Sequence, residues 1–516
     1  MKKKNVVIMG AGPAGLTAAY YLLSNSKNKY NVIILEKDKQ VGGISKTISF
    51  NGYKIDTGIH RFFTKNSEVE KIWHDLLKMQ GKKSYDQILL DEDGNYDSNG
   101  VDPEKENCLL IKRRITRILY DGKFYDYPIN INYTTIKNMG AITIIKAAFS
   151  YIKSTIKKLP ETSLENYYIN RFGKVLYSMF FESYTEKVWG INPKEISADW
   201  GSQRVKGISI KEVIKDFFGK KFHKKNSDNT ETSLIEQFIY PKLGSGNIYE
   251  IMAKKIEEMG GEIKYNTNIT GIIIKKDKIV EVTTEKESIP TDTLISSIPI
   301  KELMNLFNKK DKKILKITDN LPYREFMSVG LVVNKFNLKN TTKYKTLMNI
   351  VPDSWIYVQE KSFKMGRIQI FNNWSPYMFK KKEDIKDKVM FSLEYFCSHD
   401  DKYWNMKDKE FIDFAVSEAE KLGIIKKEDV LASVRIKIDK AYPAYFGTYK
   451  DIDKVIDYLD SYKNLYCIGR NGQHRYNNMD HSMLTGIETA KSILNNDSNK
   501  RPIWNVNTEK DYHEQK

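Results

Sequence analysis

Cysteine is scarce in this 516-residue chain. Only Cys108, Cys397 and Cys467 occur, at spacings that give neither a disulfide framework nor a Cys-x-x-Cys metal or redox pair. Such usage suits a reducing cytoplasm, with each cysteine a small buried apolar residue. No run of about 18 apolar residues is present, so no membrane-spanning helix is expected. Met1-Lys2-Lys3-Lys4 before an apolar run imitates a secretory leader, but Gly10, Gly12, Pro13 and Gly15 interrupt that run and no small-residue cleavage site follows. No nucleic-acid-binding module accompanies the net charge of +18. Much of the excess is lysine in runs such as 309–316 and 380–388, which read as solvated faces. The charge still suits an anionic ligand or loose contact with an anionic membrane. Residues 95–106 approach a calcium loop, but Asn95 stands where Asp is needed and Pro103 interrupts it, so no metal site is expected and 81–107 reads as a surface insertion. No Ser/His/Asp or Cys nucleophile constellation is evident either.

What is present begins with residues 4–45, KNVVIMGAGPAGLTAAYYLLSNSKNKYNVIILEKDKQVGGIS. The pattern predicts a strand at 6–9, a turn through Gly10, Gly12 and Gly15, a helix over 13–23, a second strand at 32–35 and then an acid, Glu36, about twenty residues past the last glycine. Gly10 permits the tight turn, Gly12 lets a pyrophosphate approach the backbone, and Gly15 lets helix pack on strand. The helix N-terminus offers free N–H groups and a positive dipole end to phosphates. Val41-Gly42-Gly43-Ile44-Ser45 follows at once, and its glycine pair lets the chain double back beneath a long dinucleotide. The whole resembles the FAD-binding signature of the glutathione-reductase-like flavoproteins, among them amine oxidases, protoporphyrinogen oxidases, phytoene desaturases and UDP-galactopyranose mutases. That resemblance implies FAD rather than NAD, held by Gly10, Gly12, Pro13, Ala14, Gly15, Glu36, Lys37, Gly42, Gly43 and Ile44.

Further along, Thr57-Gly58-Ile59-His60-Arg61-Phe62-Phe63 falls where the resembled families carry a backbone turn past the flavin, which makes His60 and Arg61 candidates; the alternative is a plain turn with a core aromatic pair. An amphipathic helix is predicted over 66–79 and a strand pair about Asp121-Gly122-Lys123, with 131–240 mainly helical. Within the helical part, Tyr184-Thr185-Glu186-Lys187-Val188-Trp189-Gly190, followed by Arg204, resembles a segment of the UDP-galactopyranose mutases. The resemblance implies stacking on a uracil ring and positive charge for a diphosphate, the alternative being that Tyr184 and Trp189 are core. Residues 262–284 predict three short strands in a meander, with Ile269 meeting the adenine side of the cofactor. Strands at 327–334, 354–358 and 366–371 suggest a sheet that roofs the flavin, with Arg367 and Trp374 as candidates within it. Finally Gly469, Arg470, Tyr476, Met479 and Asp480 match a GR…Y…MD pattern of the mutases, and Ala441-Tyr442-Pro443 is similar to their Tyr-Pro segment; the resemblance implies that Gly469, Arg470, Met479 and Asp480, together with His60, also bind the flavin.

These readings converge on an α/β chain: a Rossmann-like FAD-binding domain of glutathione-reductase type with an inserted α+β substrate domain. The FAD domain is expected at 1–65, 240–300 and 435–496, the substrate domain at 66–239 and 301–434, and a tail at 497–516. The resemblance implies a sugar-nucleotide mutase of bacterial surface-polysaccharide synthesis, interconverting pyranose and furanose forms through N5 of reduced flavin. His60, Arg61, Arg204, Arg367 and Tyr476 would serve catalysis. Tyr184, Lys187, Trp189, Arg204, Trp374 and Arg475 would bind the nucleotide-sugar. NAD(P)H is an expected external reductant. The competing expectation is an FAD-dependent oxidoreductase of the amine oxidase, protoporphyrinogen oxidase or phytoene desaturase type, which needs an apolar tunnel and no clustered arginines.

Overall fold

The apolar run Val6–Met9 is buried on both faces, as a central parallel strand requires. In the computed structural model of the chain, which describes residues 3–127, 129, 133–198 and 237–508, this run lies in β1 (Lys4–Met9), followed by α1 (Pro13–Asn25) and β2 (Tyr30–Leu35). Five parallel strands form one sheet, in the order Leu465–Cys467, Thr293–Ser296, β1, β2 and Glu262–Lys264. Against it α1 packs closely on the helix Met479–Asn495. A Cβ on Gly486 would stand 2.5 Å from the Ala14 carbonyl oxygen, so that contact tolerates only glycine.

Glu262–Lys264 was expected in the meander. It extends the parallel sheet beside β2 instead, because the helix Asn247–Glu258 before it returns the chain parallel to β2. The meander is made by Ile269–Lys275, Lys278–Thr284 and Ser288–Pro290, all antiparallel.

A second sheet of seven strands runs Val430–Pro443, Tyr323–Val333, Val389–Cys397, Arg367–Ile370, Trp355–Val358, Thr116–Tyr120 and Lys123–Asp126. Only the pairing of Trp355–Val358 with Thr116–Tyr120 is parallel. Val389–Cys397 is buried at every position and so lacks the alternation that marks a half-exposed strand. Helices Ala141–Ile156, Leu164–Tyr177 and Ser183–Trp189 precede it along the chain. Residues 497–508, read from sequence as the start of a tail, fold back and bury Ile503 and Trp504. Among the described residues no helix is long and apolar enough to cross a membrane.

Candidate active site

A cavity of about 890 Å³ takes its walls from both sheets. Gly12, Glu36 and Gly43 come from the parallel-sheet side, Ile269 from the antiparallel meander, and Phe326, Trp355, Arg367 and Tyr442 from the seven-stranded sheet. The first group is built by close backbone approaches. A Cβ on Gly15 would meet the Gly10 carbonyl oxygen at 2.1 Å, and one on Gly43, at φ +54°, would meet the Gly12 Cα at 3.2 Å. Gly12 caps α1 without a side-chain hydrogen bond, Pro13 opens the helix, and its first turn holds no acid, so the positive helix end is not neutralised from within the helix. Glu36 is fixed at the end of β2. Its Oε2 accepts from the Ala11 N–H at 2.7 Å and its Oε1 from the Asp38 N–H at 2.8 Å. Two lone-pair sites remain for hydroxyl donors.

The closing elements complete this part. Gly469 sits at φ +74°, where a Cβ would come within 2.9 Å of the Ala14 Cβ. Met479 and Asp480 begin the helix Met479–Asn495, whose cap Asn478 shares a capping box with His481. Pro13, Ala14, Lys37, Ile44, Gly469, Met479 and Asp480 all border the cavity, while Gly15 and Gly42 stand behind it and permit the turns. The uncapped helix end, the glycine cradle and the tethered carboxylate fit the pyrophosphate and ribose of a flavin dinucleotide.

The second group is cationic and aromatic. Arg367 Nε donates to Glu394, which is fully buried, and its Nη2 donates to the Tyr442 hydroxyl at 3.1 Å. Burial alone would lower the Arg367 pKa, but the Glu394 charge holds the guanidinium protonated above its ordinary value. Arg470 Nε donates to the Asn477 carbonyl at 2.8 Å and Nη1 to that of Ala441 at 3.0 Å, with its guanidinium carbon 4.6 Å from the Tyr476 ring. Among the described residues it forms no ion pair. Tyr442 and Tyr476 stack at 5.5 Å with 20° between planes. His60 faces these cations. Desolvation, with Arg470 and Arg367 adding to it, pushes its pKa down to about 3, so its imidazole is neutral at physiological pH. Arg61 lies beside it, its guanidinium carbon 5.9 Å from the Phe63 ring.

Several candidate residues are used elsewhere. Lys187 spends all three ammonium protons on the carbonyls of Val358, Glu360 and Met365, at 2.9, 2.7 and 3.0 Å, and burial lowers its pKa to about 8. It clamps the helix Ser183–Trp189 to the sheet. Trp374 is fully enclosed and donates from Nε1 to the Ser354 carbonyl at 3.0 Å, and Trp189 is buried in the same apolar cluster. Neither borders the cavity. Arg475 donates to the carbonyls of Trp504 and Val506 and so pins the C-terminal segment. Tyr184 lies behind Arg367, edge-on to Tyr357 at 5.1 Å and to Phe396 at 6.2 Å. Arg204 falls outside the described residues.

Sequence reasoning missed Trp355 and Phe326, which carry no local signal. It also left Tyr442 out of the candidate site, although the Tyr442-Pro443 dipeptide was there to mark it.

Comparison with known proteins agrees with this geometry. A family model described as flavin containing amine oxidoreductase matches residues 13–494. Protoporphyrinogen oxidase of Dictyostelium discoideum is 22% identical over 383 residues, which is 64% of this chain and 66% of that protein. A probable UDP-galactopyranose mutase of Klebsiella pneumoniae is 26% identical over 202 residues, 38% of this chain and 44% of that protein. The chain spans about half to two thirds of the length of the first curated relatives it matches. Among solved structures, reduced UDP-galactopyranose mutase superposes with a TM-score of 0.75 at 20% identity, covering 99% of this chain and 100% of the other, which shows a shared fold.

Proposed function

Because the chain belongs to the flavin-containing amine oxidoreductase family, we propose that it uses FAD as a sugar-nucleotide mutase of the UDP-galactopyranose mutase type. One observation carries the reading: Arg367 and Arg470 border the same cavity as Tyr442, Tyr476, Phe326 and Trp355. Fixed guanidinium groups in a partly desolvated wall attract an anionic diphosphate and disfavour a protonated amine. Flat aromatic faces suit a base or a sugar ring.

Bound flavin, once reduced, supplies the nucleophile for the anomeric carbon. The chain's own groups do the rest. Arg470, its geometry fixed by two backbone carbonyls, keeps one terminal nitrogen for phosphate oxygens. Neutral His60 can hold a sugar hydroxyl without adding charge. The Tyr442 hydroxyl, taking its hydrogen bond from Arg367, is left with its own proton to donate. NAD(P)H would serve as reductant, and the product would enter bacterial surface-polysaccharide synthesis in the cytoplasm.

A second reading, flavin-dependent oxidation of an apolar substrate, is supported by the longer alignment with protoporphyrinogen oxidase, 64% of this chain against 38% for the mutase. One experiment separates the two. Dithionite-reduced protein is incubated without oxygen with a panel of UDP-sugars, and pyranose and furanose forms are separated by chromatography. Interconversion by reduced but not oxidised protein supports the mutase. No interconversion across the panel, with oxygen-dependent turnover of an amine, porphyrinogen or polyene, would sink it.

A further inference from the structure

Seven of the nine large hydrophobic side chains left exposed among the described residues lie between Ile136 and Leu159. Five stand on the helix Ala141–Ile156: Ile142 is 72% exposed, Ile145 55%, Phe149 70%, Ile152 52% and Ile156 81%. Their spacing of three, four, three and four residues places them in one stripe. The opposite face seats the helix on the protein. Ala147 and Ser154 are buried, Ser150 Oγ accepts from the Val175 N–H at 3.3 Å, and Gly173 brings its backbone so close that a Cβ would meet the Tyr151 nitrogen at 2.8 Å. A helix rigidly held by its inner face therefore turns an apolar face outward, the reverse of an ordinary surface helix.

Charge identifies the occupant. From Tyr127 to Pro160 the sequence holds no Asp or Glu, but it holds Lys137, Lys146, Lys153, Lys157 and Lys158. A second copy laid along the stripe would set lysines against lysines with no acid on either helix. An anionic lipid surface accepts both features, the apolar stripe in the acyl boundary and the ammonium groups among the headgroups. Sixteen residues make a helix of about 24 Å, too short for the ~30 Å hydrocarbon core but suited to lying in the interface plane. We propose that the helix Ala141–Ile156 docks this protein on an anionic membrane surface. The inference is independent of which flavin reaction the protein performs.

The test uses the full flavin-loaded chain and two vesicle types, phosphatidylcholine alone and phosphatidylcholine mixed with phosphatidylglycerol. Co-sedimentation is expected only with the anionic vesicles. Phe149→Glu with Ile152→Glu should reduce partitioning at least about tenfold, and Lys146→Gln with Lys153→Gln about thirtyfold. The three native cysteines are buried, so Phe149→Cys can be labelled selectively with an environment-sensitive fluorophore, whose emission should shift to the blue on anionic vesicles. Should the double glutamate variant fail to fold, the labelled cysteine and the lysine variant still decide. Absence of vesicle binding, binding unaffected by these substitutions, or a wild-type dimer that Phe149→Glu with Ile152→Glu converts to monomer would overturn the proposal.

Discussion

Replacing Glu394 with Gln should loosen the protein and tighten its grip on a nucleotide diphosphate at the same time. Glu394 is fully buried and neutralises Arg367, which reaches the cavity wall and also holds Tyr442. The substituted amide keeps the shape and loses the charge, so Arg367 is left as an uncompensated, nearly enclosed cation. Breaking such a pair by removing one partner destabilises by about 3 kcal/mol, the lower end of the usual range because the amide retains one hydrogen bond. The effect on an anionic ligand has the opposite sign. A phosphate charge held against Arg367 would lose a repulsion on the order of 2 kcal/mol, taking a separation of about 8 Å from Glu394 and an effective dielectric constant near 20. Water in the cavity weakens this, so a gain in UDP affinity of about tenfold, or ~1.4 kcal/mol, is expected. Denaturant unfolding of the flavin-loaded protein measures the first effect and calorimetric titration with UDP the second. Weaker or unchanged UDP binding at equal flavin content, with the same loss of stability, would refute the argument that Arg367 faces the anion.

Gly43→Ala should abolish flavin retention, read as absorbance near the flavin band per mole of protein, because its Cβ would fall 3.2 Å from the Gly12 Cα at φ +54°. Gly122→Ala, at φ +67° with no atom within 4 Å of the added Cβ, carries only the backbone strain and should keep its flavin. Lys187→Met should lower stability by about 1–3 kcal/mol by removing the three hydrogen bonds its ammonium makes to the Val358, Glu360 and Met365 carbonyls, while leaving KM for a nucleotide-sugar unchanged. A large rise in KM at unchanged stability would restore Lys187 to the substrate site. His60, with its folded pKa pushed down to about 3 from an ordinary value of 6.5, takes up its proton more readily in the unfolded chain. Stability should therefore fall as pH drops from 6.5 toward 3, and His60→Gln should flatten that slope. Equal slopes for the two proteins would place the pH dependence elsewhere.

Local geometry explains which parts of the site were legible. Gly10, Gly12, Gly15 and Glu36 sit within one strand-turn-helix-strand unit, where spacing along the chain is spacing in space. Residues 469–480 are a second such unit, a strand end running into a helix. The candidates Lys187, Trp189, Trp374 and Arg475 were singled out by residue type, yet their polar groups or rings were claimed by partners far away in sequence, such as Val358 for Lys187 and Trp504 for Arg475. Nothing within a short window could reveal those partners.

The sequence by itself determined the dinucleotide fold, the glycine cradle and the acid that ends β2, because each needs only backbone conformation and near neighbours. Only the tertiary structure decided which cations face the cavity. Arg367 borders it because its strand is paired beside Glu394, and Tyr442 arrives from a strand that runs antiparallel on the far side of Tyr323–Val333. Those pairings join residues tens of positions apart, and it is the pairing rather than the residue type that turns one arginine toward a ligand and another toward the chain terminus.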